Sequence, residues 1–179
     1  MANQFALDIE KIRSQARDHM SDGAVTTQSE AKTSQIVDIL NDVLATEIVC
    51  WMRYQQHAIV SAGINRADVA AEFTEHAAQE LNHALLAAAR LSQLGADPDF
   101  SPSTLTKRSH TDYVTFESTD LEGMLKENLV AERIVIQIYQ ELVKWLADDD
   151  PTTRRMVEHI LEEEEEHADD LIDLLGDLT

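Results

Sequence analysis

Two short motifs carry the residues of this chain best suited to chemistry. Glu80 and His83 form one Glu-x-x-His motif, and Glu164 and His167 form a second. Residues at i and i+3 of an α-helix lie on one face, so each motif directs a carboxylate and an imidazole towards the same point. These ligand types together favour a divalent transition metal over calcium or magnesium. The two motifs therefore predict a metal site.

Two further glutamates interrupt faces that are otherwise apolar. Glu47 shares its face with Leu44 and Trp51, and Glu132 shares its face with Leu129. An ionised carboxylate buried there without a partner is strongly disfavoured, so it either binds a proton or binds a cation. The predicted metal ligands, which are also the predicted catalytic residues, are Glu47, Glu80, His83, Glu132, Glu164 and His167.

Each of these signals has a plainer explanation when it is taken alone. A Glu-x-x-His pair is more often a coincidence on a solvated helix face, and most of the acidic run 162–166 must face solvent. Tyr54 and Trp51 are ordinarily core packing residues. The metal site is favoured because four different helices each carry an inward-facing carboxylate, and two of them also carry a histidine at matching positions. Three residues are predicted to surround the ligands without binding metal themselves: Tyr54, Trp51 and His76.

The composition limits the class of protein. The chain has 179 residues, and 34 acidic against 14 basic side chains give a net charge of −20, which disfavours binding to nucleic acid or anionic lipid. A single cysteine, Cys50, excludes an intrachain disulfide and a four-cysteine iron site. No apolar run approaches the roughly 20 residues of a membrane helix, and no secretory signal is recognisable. We expect one soluble, cytoplasmic domain without a membrane partner.

Four long helices are predicted around these motifs. The first spans about residues 33–62, and the second begins after Asn65 and ends before Gly95. A capping box at residues 119–122 opens the third. Asp150 followed by Pro151 opens the fourth, which runs to about residue 175.

The connections between these helices predict the topology. Two links are so short that the helices they join must form antiparallel hairpins. Residues 95–118 are long enough to cross the whole bundle, with a short ordered turn expected around residues 113–116. The prediction is an all-α four-helix bundle at 33–176, made of two hairpins and a crossover. Residues 1–32 form an arm with a short amphipathic helix lined by Phe5, Ile9, Ile12 and Ala16.

From residue 34 to residue 176 the chain resembles the ferritin superfamily. It is most similar to bacterioferritins and to the bacterioferritin-like subgroup of Dps (DNA-protection-during-starvation) proteins. The 33-residue step from Glu47 to Glu80 makes the match specific. The resemblance implies that Glu80 and Glu164 bridge two metal ions, with Glu47 and Glu132 as terminal ligands. It also matches Tyr54, seven residues after Glu47, to a family tyrosine.

The resemblance implies a ferritin-like fold and a di-iron ferroxidase. Such a protein oxidises Fe(II) with hydrogen peroxide or oxygen and stores ferric mineral in a hollow homo-oligomeric cage, which protects against oxidative damage. Iron, manganese and zinc all accept these ligands, so the metal stays open. Leu81 stands where bacterioferritins carry a haem-binding methionine, so haem is not expected. The absence of a fifth helix favours a twelve-subunit cage over a twenty-four-subunit one, although the paired cysteines of some members are missing.

Two other functions remain open from the sequence. One is a di-metal oxidase or a manganese-catalase-like enzyme on the same bundle, without mineral storage. The other is a metal-free bundle that compacts DNA. Residues 1–32 mix basic and acidic side chains, which disfavours direct DNA binding by the arm. Sequence also does not decide whether His110 and Tyr113 in the crossover line a pore.

Overall fold

A computed structural model describes residues 7–18, 20–23 and 30–178, with the side chains of residues 30 and 31 left out. All regular secondary structure in these residues is helical. Phe5, one of the residues assigned to the arm helix, lies outside the described ranges. A 3₁₀ turn at Met20–Asp22 follows the first helix. The α-helices are α1 (Ile9–Asp18), α2 (Glu30–Val60), α3 (Arg66–Gln93), α4 (Leu105–Arg108), α5 (Leu121–Leu146) and α6 (Pro151–Asp177).

Four long helices form a bundle of two hairpins. α2 packs along α3, and α5 packs along α6. Contacts of α3 with α6 and of α2 with α5 bring the two hairpins together. The all-α, ferritin-like four-helix bundle predicted from the sequence is therefore confirmed. No helix among the described residues is both long and apolar enough to cross a membrane.

The starts of the last two long helices show how local sequence sets the helix ends. Asp150 caps α6, since its side chain accepts a hydrogen bond from the backbone N–H of Thr153 at 3.0 Å, and Pro151 follows as predicted. At α5 the predicted capping box is wrong. The N-cap is Asp120, whose Oδ1 accepts from the N–H of Gly123 at 2.9 Å. Thr119 and Asp120 are both residue types that cap helices well, and α5 is capped by Asp120, the one directly before its first residue.

The crossover lies along α2. The N–H of Asp99 donates to Asn41 Oδ1 at 2.9 Å, and the buried Arg53 donates from Nη1 to the carbonyl of Asp112 at 2.9 Å. The expected turn at 113–116 is wrong, because these residues have no regular secondary structure. The ordered helical turn of the crossover is α4 instead. Its Leu105 is buried against the core, which the sequence did not indicate.

The core consists of two apolar clusters at different heights of the bundle. One contains Leu44 and Leu91, and the other contains Phe73 and Leu125. Two large apolar residues of α2 and α3, Ile59 and Leu85, lie outside this core and are 75% and 53% exposed. The buried polar residues that could bind a metal lie along the helices between the two clusters.

Candidate metal centre

All four long helices contribute to one buried polar cluster. α2 contributes one glutamate and α5 one glutamate, whereas α3 and α6 each contribute a glutamate and a histidine one turn apart. No residue of this cluster is more than 1% exposed. The structure thus brings together all six predicted ligands: Glu47, Glu80, His83, Glu132, Glu164 and His167.

The cluster divides into two overlapping groups of four ligand atoms. Within each group all atoms lie within 4.8 Å of one another. Glu80 and Glu164 belong to both groups, so either carboxylate has one oxygen for each. Glu47 and His83 complete the first group, and Glu132 and His167 complete the second. This geometry can hold a pair of metal ions that share two carboxylates.

Distances within the cluster are short enough for shared coordination. Nδ1 of His83 lies 3.1 Å from Glu164 Oε1 and 3.5 Å from Glu47 Oε2. Nδ1 of His167 lies 3.3 Å from Glu164 Oε2 and 3.6 Å from Glu80 Oε1. Both imidazoles therefore direct the same ring nitrogen towards the carboxylates.

The residues fit a metal pair because their inward atoms are otherwise unsatisfied. Such orphaned polar atoms are rare in protein interiors and costly unless a ligand or ion completes them. Acidic side chains often cluster at a protein surface without a metal, because water solvates them. Solvent does not reach these six residues, so that explanation does not apply. The buried side-chain atoms without a hydrogen-bond partner include Glu47 Oε2, both oxygens of Glu80, His83 Nδ1, Glu132 Oε2, both oxygens of Glu164, and His167 Nδ1.

Two buried tyrosines hold the carboxylates of Glu132 and Glu47 from opposite hairpins. The hydroxyl of Tyr54 donates to Glu132, and the hydroxyl of Tyr139 donates to Glu47. Tyr54 was predicted near the ligands. The role of Tyr139 was missed, although it follows Glu132 by the same seven residues that separate Glu47 from Tyr54. Each tyrosine leaves the other carboxylate oxygen free for a metal.

The outer nitrogens of the two imidazoles are also held, and these contacts were missed. Nε2 of His83 lies 2.6 Å from Glu163 Oε2, and Nε2 of His167 lies 2.9 Å from Gln79 Oε1. Both partners are acceptors, so Nε2 is the donor and Nδ1 is left for a metal. Sequence position could have indicated these partners, because Gln79 directly precedes Glu80 and Glu163 directly precedes Glu164, the two glutamates shared by both groups.

Burial and mutual repulsion shift the protonation of the cluster. Burial and then the nearby Glu164 raise the pKa of Glu80 well above its usual value, and burial likewise raises the pKa of Glu132. Burial also opposes ionisation of Glu47, but its close neighbours His83, Glu80 and Tyr139 together outweigh burial and lower the pKa of that carboxyl group. Although burial opposes the charged form of His83, Glu164 and Glu47 raise its pKa to about 11. Metal binding must displace protons from this cluster.

His76 and Trp51 occupy different surroundings. The His76 ring is buried and stacks on His167, with 4.1 Å between ring centroids. Burial lowers the pKa of His76 to about 3, so this imidazole is neutral. Trp51 is half-buried and packs against both apolar clusters without a hydrogen bond to any of the six predicted ligands. Its assignment to the surroundings of the metal stays a prediction.

Residues 37–179 match the family model of the ferritin-like domain. The chain therefore belongs to the ferritin-like family, as the six-residue cluster and the bundle topology indicate. The bacterioferritin-related protein of Bacteroides fragilis, a dodecameric thioferritin, is 36% identical, with a TM-score of 0.78 over 82% of this chain and 87% of that one.

Two further solved structures share the fold at lower identity. A Dps homologue from the archaeon Halobacterium salinarum is 24% identical, with a TM-score of 0.76 over 83% of this chain and 86% of that one. Dps of Mycobacterium smegmatis is 19% identical, with a TM-score of 0.77 over 82% and 89% of the two chains. No curated protein matches the chain.

Proposed function

We propose that this protein is a ferroxidase that oxidises Fe(II) at a paired-metal centre and stores the ferric product in a homo-oligomeric cage. The observation that carries the proposal is the pair of overlapping four-residue groups, whose inward oxygens and nitrogens have no hydrogen-bond partners. The proposed ligands, which are also the proposed catalytic residues, are Glu47, Glu80, His83, Glu132, Glu164 and His167.

Fe(II) is the substrate at this centre. Oxidation of two Fe(II) ions supplies two electrons, which together with two protons convert one hydrogen peroxide to two water molecules, or one dioxygen to hydrogen peroxide. Glu80 and Glu164 hold both ions at one place, so both electrons are delivered together. Tyr54 and Tyr139 fix the terminal carboxylates, and Glu163 and Gln79 fix the imidazoles.

The charge of the chain supports capture and storage of cations. A net charge of −20 attracts Fe(II) and raises its local concentration. The 36% identity to a dodecameric protein supports a twelve-subunit cage. Because its one cysteine is buried and its thiol pKa is raised to about 12, the chain suits the reducing cytoplasm, where we expect it to act.

Aerobic Fe(II) loading of metal-free protein tests the proposal. The particle is then isolated by size exclusion, its mass is measured by light scattering, and its iron is counted. We expect a cage that retains far more iron than its ligands can bind. A particle that keeps about two metals per chain would instead support a di-metal oxidase or manganese-catalase-like enzyme on the same bundle.

Replacing the two shared carboxylates separates catalysis from assembly. The double variant E80A/E164A should lose fast Fe(II) oxidation, because both groups lose two of their four ligands. Its particle mass should equal that of the wild type, because both side chains are buried inside one bundle. Wild-type oxidation rates in E80A/E164A would rule out this centre as the ferroxidase site.

A further inference from the structure

A third cluster of potential metal ligands lies beside the candidate metal centre. Glu72 and His76 on α3 and Asp170 on α6 each offer one ligand atom, and these atoms lie within 4.8 Å of one another. Nε2 of His76 is 3.1 Å from Glu72 Oε1 and 3.5 Å from Asp170 Oδ2. One imidazole between two carboxylates suits Fe(II), manganese, cobalt or zinc.

His76 provides the observation that points to a ligand. Its side chain is only 1% exposed, yet neither ring nitrogen has a hydrogen-bond partner. The two carboxylates are near Nε2 but do not meet hydrogen-bond geometry. A buried imidazole with no partner on either nitrogen is unfavourable. A cation held between the three side chains would satisfy Nε2.

The two carboxylates are also poor neighbours without a cation. Burial, followed by the charge of Asp170, raises the pKa of Glu72. The negative charge of Asp170 at this short range opposes ionisation of Glu72. A divalent cation would replace this repulsion with attraction.

The cluster spans the distance from the protein surface to the candidate centre. Side-chain exposure falls from 52% at Asp170 to 29% at Glu72 and 1% at His76. The His76 ring then stacks on His167, at 24° between the ring planes. His167 belongs to the second group of four ligands. A cation at the cluster would therefore be separated from the centre by little more than one imidazole.

We propose that Glu72, His76 and Asp170 form a third, exchangeable site for divalent cations, and that cations pass through it from the surface to the buried centre. The passage role rests on the proposed function of that centre. Binding at the third site does not rest on it.

Cobalt binding to the metal-free, full-length protein tests the site. Equilibrium dialysis with Co(II) should give three ions per chain in the wild type, and anomalous diffraction should place one of them between Glu72, His76 and Asp170. The double variant E72Q/D170N should bind two. The matched control E75Q/D169N changes two exposed carboxylates on the same helices and should bind three. Absence of Co(II) from the cluster in the wild type, or equal binding by E72Q/D170N, would overturn the site.

The rate of loading tests the passage role. Capture of Co(II) by the buried centre, followed by visible absorption after rapid mixing, should slow roughly tenfold in E72Q/D170N, since a site that concentrates cations raises capture rates by such factors. The rate in E75Q/D169N should match the wild type. An unchanged rate in E72Q/D170N would overturn the passage role.

A third variant distinguishes failure of this inference from failure of the proposed function. E80A/E164A removes both shared ligands of the buried centre but leaves the three residues of the cluster intact. It should still bind one Co(II) per chain at the cluster. Loss of that ion would overturn an independent third site, whatever the result of the ferroxidase assay.

Discussion

The two imidazoles of the candidate centre differ in the group that holds their outer nitrogen. His83 faces the carboxylate of Glu163, whereas His167 faces the neutral amide of Gln79. A carboxylate partner makes an imidazole a stronger metal ligand, and loss of such partners commonly costs about 10–100-fold in affinity. E163Q should therefore weaken Zn(II) binding to the first group by roughly tenfold. Calorimetric titration of metal-free protein measures this change.

A neighbouring glutamate provides the control for that substitution. Glu166 lies on the same helix and is exposed, so E166Q makes the same charge change away from His83. Its Zn(II) affinity should equal that of the wild type. Equal affinities in E163Q and E166Q would show that Glu163 has no effect beyond its charge.

The raised pKa values of Glu80 and Glu132 predict an unusual pH dependence for the metal-free protein. A raised pKa means that the folded state keeps a proton that the unfolded chain has lost, so this stability is present at low pH and is lost as pH rises. His83 acts in the same direction between its ordinary pKa of 6.5 and about 11. His57 and His76, with pKa values lowered to about 4 and about 3, are neutral in both states above pH 7. Stability should therefore fall from about pH 7 to about pH 9, by up to about 1.4 kcal/mol per pH unit for each extra proton.

Thermal unfolding of E132Q checks the source of this dependence. Glutamine cannot titrate, so the loss of stability as pH rises above 4.5, the ordinary value for a glutamate, should be smaller than in the wild type. E127Q, on the same helix, should behave as the wild type, and saturating Zn(II) should remove the dependence by displacing the protons. Identical pH profiles for E132Q and the wild type would contradict this assignment.

Some of these residues could be predicted from sequence and others could not. Glu47 and Glu132 were predictable because a carboxylate inside an apolar helix face is costly and therefore conspicuous. Tyr139 and Glu163 were not, because their partners lie on other helices and depend on how two helices are rotated against each other. The sequence did contain one signal for Tyr139, a spacing repeated between the hairpins. Tyr54 follows Glu47 by seven residues, and Tyr139 follows Glu132 by the same number.

Among the elements, the crossover is fixed by a buried arginine on α2. Arg53 donates from Nε to Asn128 on α5 at 2.8 Å and from Nη1 to the carbonyl of Asp112 at 2.9 Å. It therefore joins both hairpins and the crossover. R53L should leave the buried Oδ1 of Asn128 without its donor, remove the bond to the crossover, and lower the melting temperature by roughly 5–10 °C. Differential scanning calorimetry of metal-free protein measures the change.

An exposed arginine tests whether the effect belongs to this position. R66L changes the first residue of α3, which is exposed, and should leave the melting temperature within about 2 °C of the wild type. A similarly small shift in R53L would mean that other contacts fix the crossover.

The sequence predicted the crossover by its length, proline content and polar composition. It did not predict α4, because a helix of four residues depends on the core surface against which Leu105 packs.

At the level of the whole chain, a net charge of −20 accompanies the buried candidate metal centre. Fields of this kind steer ions at low salt and are screened at high salt, with a screening length of about 10 Å at 0.1 M and about 3 Å at 1 M. The rate of Co(II) capture should therefore fall at least roughly fivefold between about 0.02 M and about 0.5 M sodium chloride.

Charge and composition were readable from sequence, whereas the division into an arm at 1–32 and a bundle at 33–176 stays a prediction.

The oxidation step provides an internal control for this steering. Protein preloaded with Fe(II) without oxygen, then mixed with hydrogen peroxide, reacts with a neutral oxidant. Because no ion is captured in that step, its rate should not change with salt. Equal salt dependence of both steps would indicate a general effect of salt on the protein, and a capture rate independent of salt would leave attraction to local ligands such as Asp170 as the source of fast loading.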